Sequence, residues 1–273
     1  MIRIDTGDSW LLVSHKEHAR LAGEFARRWK NEQFEPPKPF AHILDAVTRH
    51  DDSWEKADAA PSLTHEMQPS AFTKELVGTY DAFEEIDLPN YLRIRGEATE
   101  AAAKRDPYSA ILISMHTVNL LTVQANLSML TADERAIHSA FIARQIDRQS
   151  ELKKQILLQP DLAPYGSDES LKSGFKFLQA CDSFSLYASV GYDDIGKLQH
   201  THVMRDGHET EITIAPKGNA CYKLEPYPLD EPEIEFETFF KRVPKSATSS
   251  LESFRAAYCD SKFETVAVTV TDS

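Results

Sequence analysis

At 273 residues the chain has room for one large domain, or for one domain with a smaller companion. Its 41% hydrophobic content supplies a core, and its formal charge of −13 (30 basic against 43 acidic residues) lacks the basic footprint of a nucleic-acid binder. No run approaches the roughly 18 apolar residues of a membrane helix, the first residues show no signal-peptide pattern, and Cys181, Cys221 and Cys259 form no disulfide framework. The expected setting is cytoplasmic and the expected partner a small-molecule substrate, with a homo-oligomer left open.

Along the chain, residues 1–13 read as a short strand. Ser14 with Glu17 reads as a capping box, and Leu21, Phe25 and Trp29 at helical spacing extend it to a helix over 15–31. A second helix is expected over 39–50, with Phe40, Ile43, Leu44 and Val47 inward. Residues 51–75 have turn composition, a length of irregular chain that is often functional. Helical patterns resume at 71–86, 90–104 and 106–128, the last opened by Asp106-Pro107. Thr131 and Glu134 cap a helix over 132–157, and Asp168 starts one that runs to 188. From Gly191 the period changes to alternation, as in Thr210-Glu-Ile-Thr-Ile214, Ile234-Glu-Phe-Glu-Thr-Phe239 and Glu264-Thr-Val-Ala-Val-Thr-Val270. The reading is a mainly α chain: a helical metal-binding domain over 1–190, and a small antiparallel β appendage over 191–273.

The residues that carry chemistry lie in the helical part. His50-Asp51 ends an apolar helix, where the turning backbone lets an imidazole and a carboxylate reach one ion. Such nitrogen and oxygen donors suit Zn, Fe, Mn, Ni or Co. His18 shares the inward edge of its helix with Leu21, Ala22 and Phe25. His116 sits in a helix apolar on nearly every face, and a buried histidine needs a partner. Asp182 lies among small and apolar neighbours, where an unpaired carboxylate is costly. His18, His50, Asp51, His116 and Asp182 are therefore the candidate ligands of one or two divalent transition-metal ions.

The motifs His18-Ala-x-Leu-Ala-x-x-Phe-Ala, Ala46-Val-x-x-His50-Asp51 and Ala180-Cys-Asp182-Ser-Phe-Ser resemble, in this order, those of the HD superfamily of metal-dependent phosphohydrolases. The whole chain more closely resembles the bacterial family DUF3891. The resemblance rests on His-Asp-x-x-Trp54, on Asp106-Pro-Tyr-Ser-Ala-Ile-Leu-Ile-Ser-x-His116, on the helix with Phe141, Gln145 and Arg148, and on Cys181-Asp182-x-x-Ser185. The HD resemblance implies an HD-like helical bundle over about 15–190 and a metal-dependent hydrolase of a phosphoester or similar substrate. It makes His116 the residue for a second ion or a phosphate, and Asp51 or Asp52 the acceptor of a water proton. The chain departs from that pattern after the doublet: Asp52-Ser53-Trp54 stands where many members carry a lysine.

Other residues were weighed beside these. Arg20, Arg49, Arg144 and Arg148 are substitutes for the missing lysine, with Arg49 and Arg148 preferred as substrate contacts. Trp54 is expected to wall a substrate pocket and His65-Glu66 to serve as a lid. His138 would complete a di-iron oxygenase site, the first alternative function, but its neighbour Ile137 reads as the more inward residue. A metal- or ligand-binding regulatory protein without catalysis is the second. His200, His202 and His208 read as surface residues of the β region.

Overall fold

In the computed structural model the described residues are 1–77 and 87–273. Two strands, β1 (Ile2–Asp5) and β2 (Ser9–Val13), lead into helix α1 (His15–Arg27). Ser14 caps α1 by accepting from the Glu17 amide. The Glu17 carboxylate does not return the bond; it holds Arg20 and the Phe239 amide instead. Next come α2 (Phe40–Arg49), a 3-10 turn Asp52–Trp54, α3 (Glu55–Ala59), α4 (Leu88–Ala103), α5 (Pro107–Thr122), α6 (Ala132–Leu157) and α7 (Asp168–Val190). Thr131 and Glu134 form the reciprocal capping box on α6, and Asp106 with Pro107 opens α5. Of the helix expected over 71–86, residues 78–86 lie outside the described residues; the described part holds only a 3-10 turn, Lys74–Leu76.

Beyond α7 lie β3 (Gly196–Lys197), β4 (His202–Val203), β5 (Glu209–Thr210), β6 (Thr213–Gly218), β7 (Cys221–Glu225), β8 (Glu233–Pro244), helix α8 (Leu251–Asp260) and β9 (Phe263–Thr271). The small antiparallel appendage is not what forms. A seven-stranded sheet runs in the order β1-β2-β8-β9-β7-β6-β3, so the first strands of the chain join it at one edge. The sheet is also mixed, because β9 pairs parallel to β7 while pairing antiparallel to β8. The expectation of a mainly α, HD-like bundle is overturned by this sheet. Its physical cause is long-range pairing, such as Trp10 opposite Val243, which alternation within either strand does not reveal.

Helices and sheet share one core. Phe25 of α1 stacks on Phe184 of α7 with ring centres 4.0 Å apart, and both meet Phe236 of β8. Aromatic contacts of this kind add to the burial of apolar area that drives folding. Helices α1, α2, α5 and α7 pack against one another. Two glycines let them close up: a β-carbon on Gly23 would stand 2.3 Å from Thr48 Oγ1, and one on Gly174 3.2 Å from Leu112 Cδ1. Among the described residues no helix is long and apolar enough to cross a membrane.

Candidate metal centre

Four helices deliver the centre. His18 comes from the first turn of α1. His50 caps the C-terminal end of α2, and Asp51 sits in the turn to the 3-10 segment at φ −113° and ψ 10°. That kink turns two sequence neighbours toward one point, which a continuing helix would splay. His116 comes from α5 and Asp182 from α7; all five residues are at most 5% exposed.

Asp182 is the hub. Its Oδ1 lies 2.8 Å from His18 Nε2 and 3.2 Å from His50 Nε2, and its Oδ2 lies 4.0 Å from His116 Nε2. His50 Nε2 is also 3.7 Å from Asp51 Oδ2. The donor atoms of His18, His50 and Asp51, and those of His50, His116 and Asp182, fall within 4.8 Å of one another. Two ligands at about 2.0–2.3 Å from one zinc-like ion stand at most about 4.6 Å apart, so the clusters are close to the size of a coordination sphere.

Hydrogen bonds on the far side of each ring set the polarity. His50 Nδ1 donates to the Val47 carbonyl at 2.8 Å, which turns Nε2 toward two carboxylates. Ser185 Oγ lies 3.1 Å from the Asp182 carbonyl and 2.5 Å from His18 Nδ1, and His18 Nε2 hydrogen-bonds Asp182 Oδ1 at 2.8 Å, so α7 holds this ring at both nitrogens. Ring nitrogens meet carboxylate oxygens at one buried point, where a proton or a metal cation has to sit between them. Among the described residues, buried His50 Nε2 and His116 Nδ1 have no hydrogen-bond partner.

The electrostatics agree. Burial works against a charged His50, but Asp51 and then Asp182 outweigh it and raise its pKa to about 9. Burial would raise Asp182, yet its contacts with His18 and His50 hold it well below the usual carboxylate range. Burial dominates at His116 and lowers it to about 3, so that ring is neutral. The residues present thus fit a divalent cation: imidazole lone pairs, two carboxylates, and hydrogen bonds that orient the rings, as metal-bound histidines need.

Sequence reading passed over a buried arginine. Arg95 of α4 donates from Nη1 to Asp51 Oδ1 at 2.6 Å and from Nε to the Tyr91 hydroxyl, under Trp54. The signal was present: Leu88, Tyr91, Leu92, Arg95, Ala98, Thr99 and Ala102 make one helical face, and it is buried. His15, one turn before His18, is also buried; its ring meets Asp58 and stacks on Trp54.

A cavity of about 510 Å³ opens onto the centre, lined by His15, His18, Asp51, Arg95, His116 and Asp182 at its polar end. His50 lies behind them. Several expected contacts are not brought to it. Trp54 packs on His15 outside the cavity lining, and the wall comes instead from Phe72, Leu76 and Val77. Asp52 lies beside Arg49, and Arg49 also pairs with Asp45 on the surface. Arg148 is held by Glu100 and Glu151, Arg20 by Glu17, and Arg144 lies over Phe141. His65 and Glu66 are exposed. His138 binds the Leu121 carbonyl through Nε2 and is buried, while Ile137 is exposed, the reverse of the sequence reading. His202 is buried against Trp29 and His200 half-buried at the cavity, so these two are not a surface pair.

No curated protein and no solved structure matches the chain. One family model does, over residues 1–245, described as a protein of unknown function. The chain belongs to the family DUF3891.

Proposed function

We propose that the protein is a metal-dependent hydrolase of a small phosphoester or a similar ester. The observation that carries this reading is the pair of oriented imidazoles, His18 and His50, whose Nε2 atoms converge with Asp51 and Asp182 on one buried point at the end of a cavity. Asp51, Asp182 and Arg95 sum to one negative charge, so a divalent ion leaves the polar end with one positive charge for an anionic group. When bound, such an ion supplies Lewis acidity toward a phosphoryl oxygen and a more acidic water.

The chain's own residues do the rest. His18, His50, Asp51 and Asp182 would hold the ion, with His116 beside Asp182 for a second ion or for substrate. Arg95 fixes one oxygen of Asp51 and leaves Oδ2 to face the ion. Neutral His116 lends an N–H to a phosphoryl or leaving-group oxygen. The cavity's buried end keeps bulk water from competing for these dipoles.

The test is elemental analysis of the intact protein from metal-replete medium, followed by a panel of simple phosphoesters with added Mn. One or two ions per chain and Mn-dependent ester cleavage are expected. Metal-free protein with no metal-dependent rise in Tm would overturn the metal site, and oxygen consumption without ester cleavage would favour a di-iron oxygenase instead.

A further inference from the structure

The cavity has three surfaces, and each restricts what fits. At its polar end Arg95 is the one arginine or lysine among the described lining residues. With Asp51 and Asp182 offset, that guanidinium and a divalent ion leave one positive charge, which attracts one phosphoryl group, whereas further phosphates would add charge without partners in a chain of net charge −13.

The second surface is a row of amides. Gln124 Nε2 donates to Asn119 Oδ1 at 2.8 Å and to Gln199 Oε1 at 2.9 Å, and Gln179 Nε2 donates to Asn119 Oδ1 at 2.9 Å. His200 Nε2 donates to Gln179 Oε1 at 2.5 Å. The oxygens of Asn119, Gln179 and Gln199 are thereby used within the row. Asn119 and Gln199, both lining the cavity, keep their N–H₂ groups for it. This wall offers donors and suits an acceptor such as phosphoryl oxygen. The third surface is apolar: Ile2 of β1, Phe72, Leu76 and Val77, and Leu186 of α7.

We infer that the substrate is a monophosphate ester of an apolar alcohol, with its phosphoryl group at Arg95 and the amide row, and its hydrocarbon body against Phe72, Leu76, Val77 and Leu186. The inference rests on the hydrolase reading for its reaction. Water adds at phosphorus, the P–O bond to the alcohol breaks, and the leaving oxygen takes the proton given up by the water. The products are an alcohol and inorganic phosphate. Nucleoside polyphosphates carry more charge than the single guanidinium can pair and should bind more weakly.

Phosphonates separate this inference from the reaction, because hydrolysis does not cut their P–C bond. Calorimetric binding of methylphosphonate, hexylphosphonate and ADP to the intact Mn-loaded protein is the experiment. Each methylene removed from water is worth up to about fourfold in affinity, so hexylphosphonate should bind at least about tenfold tighter than methylphosphonate, and ADP more weakly than hexylphosphonate. Leu186→Asn, with Val77→Asn as a second variant should the first not fold, should abolish the hexyl preference while methylphosphonate binding stays within about threefold. Asn119→Asp should weaken both phosphonates alike. Equal affinity for the two phosphonates, or tighter ADP, would overturn the inference even if ester hydrolysis is found. A hexyl preference without any ester hydrolysis would uphold the ligand class and sink the hydrolase reading alone.

Discussion

Two histidine–carboxylate clusters start within one turn of each other on α1, and they are built differently. Around His15, Asp58 accepts the backbone N–H with one oxygen at 2.6 Å and meets the ring nitrogen with the other at 2.9 Å, while Trp54 stacks on the ring at 4.6 Å. Donors and acceptors cancel locally. Around His18 the burial is as deep, yet three rings share two carboxylates, and His50 Nε2 and His116 Nδ1 have no hydrogen-bond partner among the described residues. Proteins satisfy their buried polar groups. A cluster that balances itself is a structural joint, and one that does not is built for an outside charge. Residue type alone does not separate the two; the completeness of the hydrogen bonding does.

The strongest way to break this comparison is through Asp51. Asp51→Ala strands the Arg95 guanidinium, whose side chain is 7% exposed. Leaving one member of a buried ion pair uncompensated costs about 3–5 kcal/mol. The metal-free variant should show that loss in urea unfolding, and Asp51→Ala with Arg95→Met should recover most of it. It should also lose bound metal. Wild-type metal content in Asp51→Ala would remove Asp51 from the centre.

Next is the contrast between the clusters. An ion present at 100 times its Kd stabilises the folded state by about 2.7 kcal/mol, so added metal should raise the Tm of the wild-type protein. His50→Ala should abolish that rise. Asp58→Asn should lower the Tm in the absence of metal, by the roughly 1–3 kcal/mol of a disturbed buried hydrogen bond, yet keep the metal-dependent rise intact. If Asp58→Asn loses the metal response as fully as His50→Ala does, the two clusters are one site.

A smaller effect is expected at Ser185, whose hydroxyl orients His18. Groups that orient metal-bound histidines are worth about 10–100-fold in metal affinity. Ser185→Ala should weaken binding by that factor in a chelator competition, and Ser185→Thr, which keeps the hydroxyl, should weaken it less. Equal affinity for wild type and Ser185→Ala would return the His18 tautomer to chance.

Much of this was legible in the chain. The cap at Asp106-Pro107, the box at Thr131 and Glu134, and the helical positions of His18, His116 and Asp182 are local signals, and helices obey local signals. The doublet was readable because a helix must end somewhere, and His50-Asp51 marks where α2 does. Arg95 was readable on the wheel of α4 but went unread, since an arginine is ordinarily assigned to the surface. The sheet was the unreadable part. Nothing in Ser9–Val13 states that it pairs with β8, about 230 residues later, or that β9 slots between β8 and β7 with opposite senses on its two sides. The cavity wall from Phe72 to Val77 was missed for the same reason: Phe72 meets Ile2 through a bridge between distant segments.

The smallest expected effect tests how the helices are spaced. Gly23 lies on α1 between His18 and the end of the helix, against Thr48 of α2, two residues before His50. A methyl group there would overlap Thr48 Oγ1 at 2.3 Å and touch Cβ at 3.0 Å. Cβ is fixed to the backbone and does not move when χ1 rotates, so rotation alone does not clear it and the helices must part. Replacing glycine by alanine in a helix gains roughly 0.5–1 kcal/mol of conformational entropy, while overpacking a close contact costs about 1–3 kcal/mol. The second term is the larger, and Gly23→Ala should be destabilised by about 1 kcal/mol. Thr48→Ala in the same chain makes room and should turn the change to neutral or favourable. Because α1 carries His18 and α2 carries His50, a parted pair of helices should also loosen metal binding in Gly23→Ala and restore it in the double variant. A fall in Tm without any change in metal affinity would show that the spacing of α1 and α2 at Gly23 does not reach the centre.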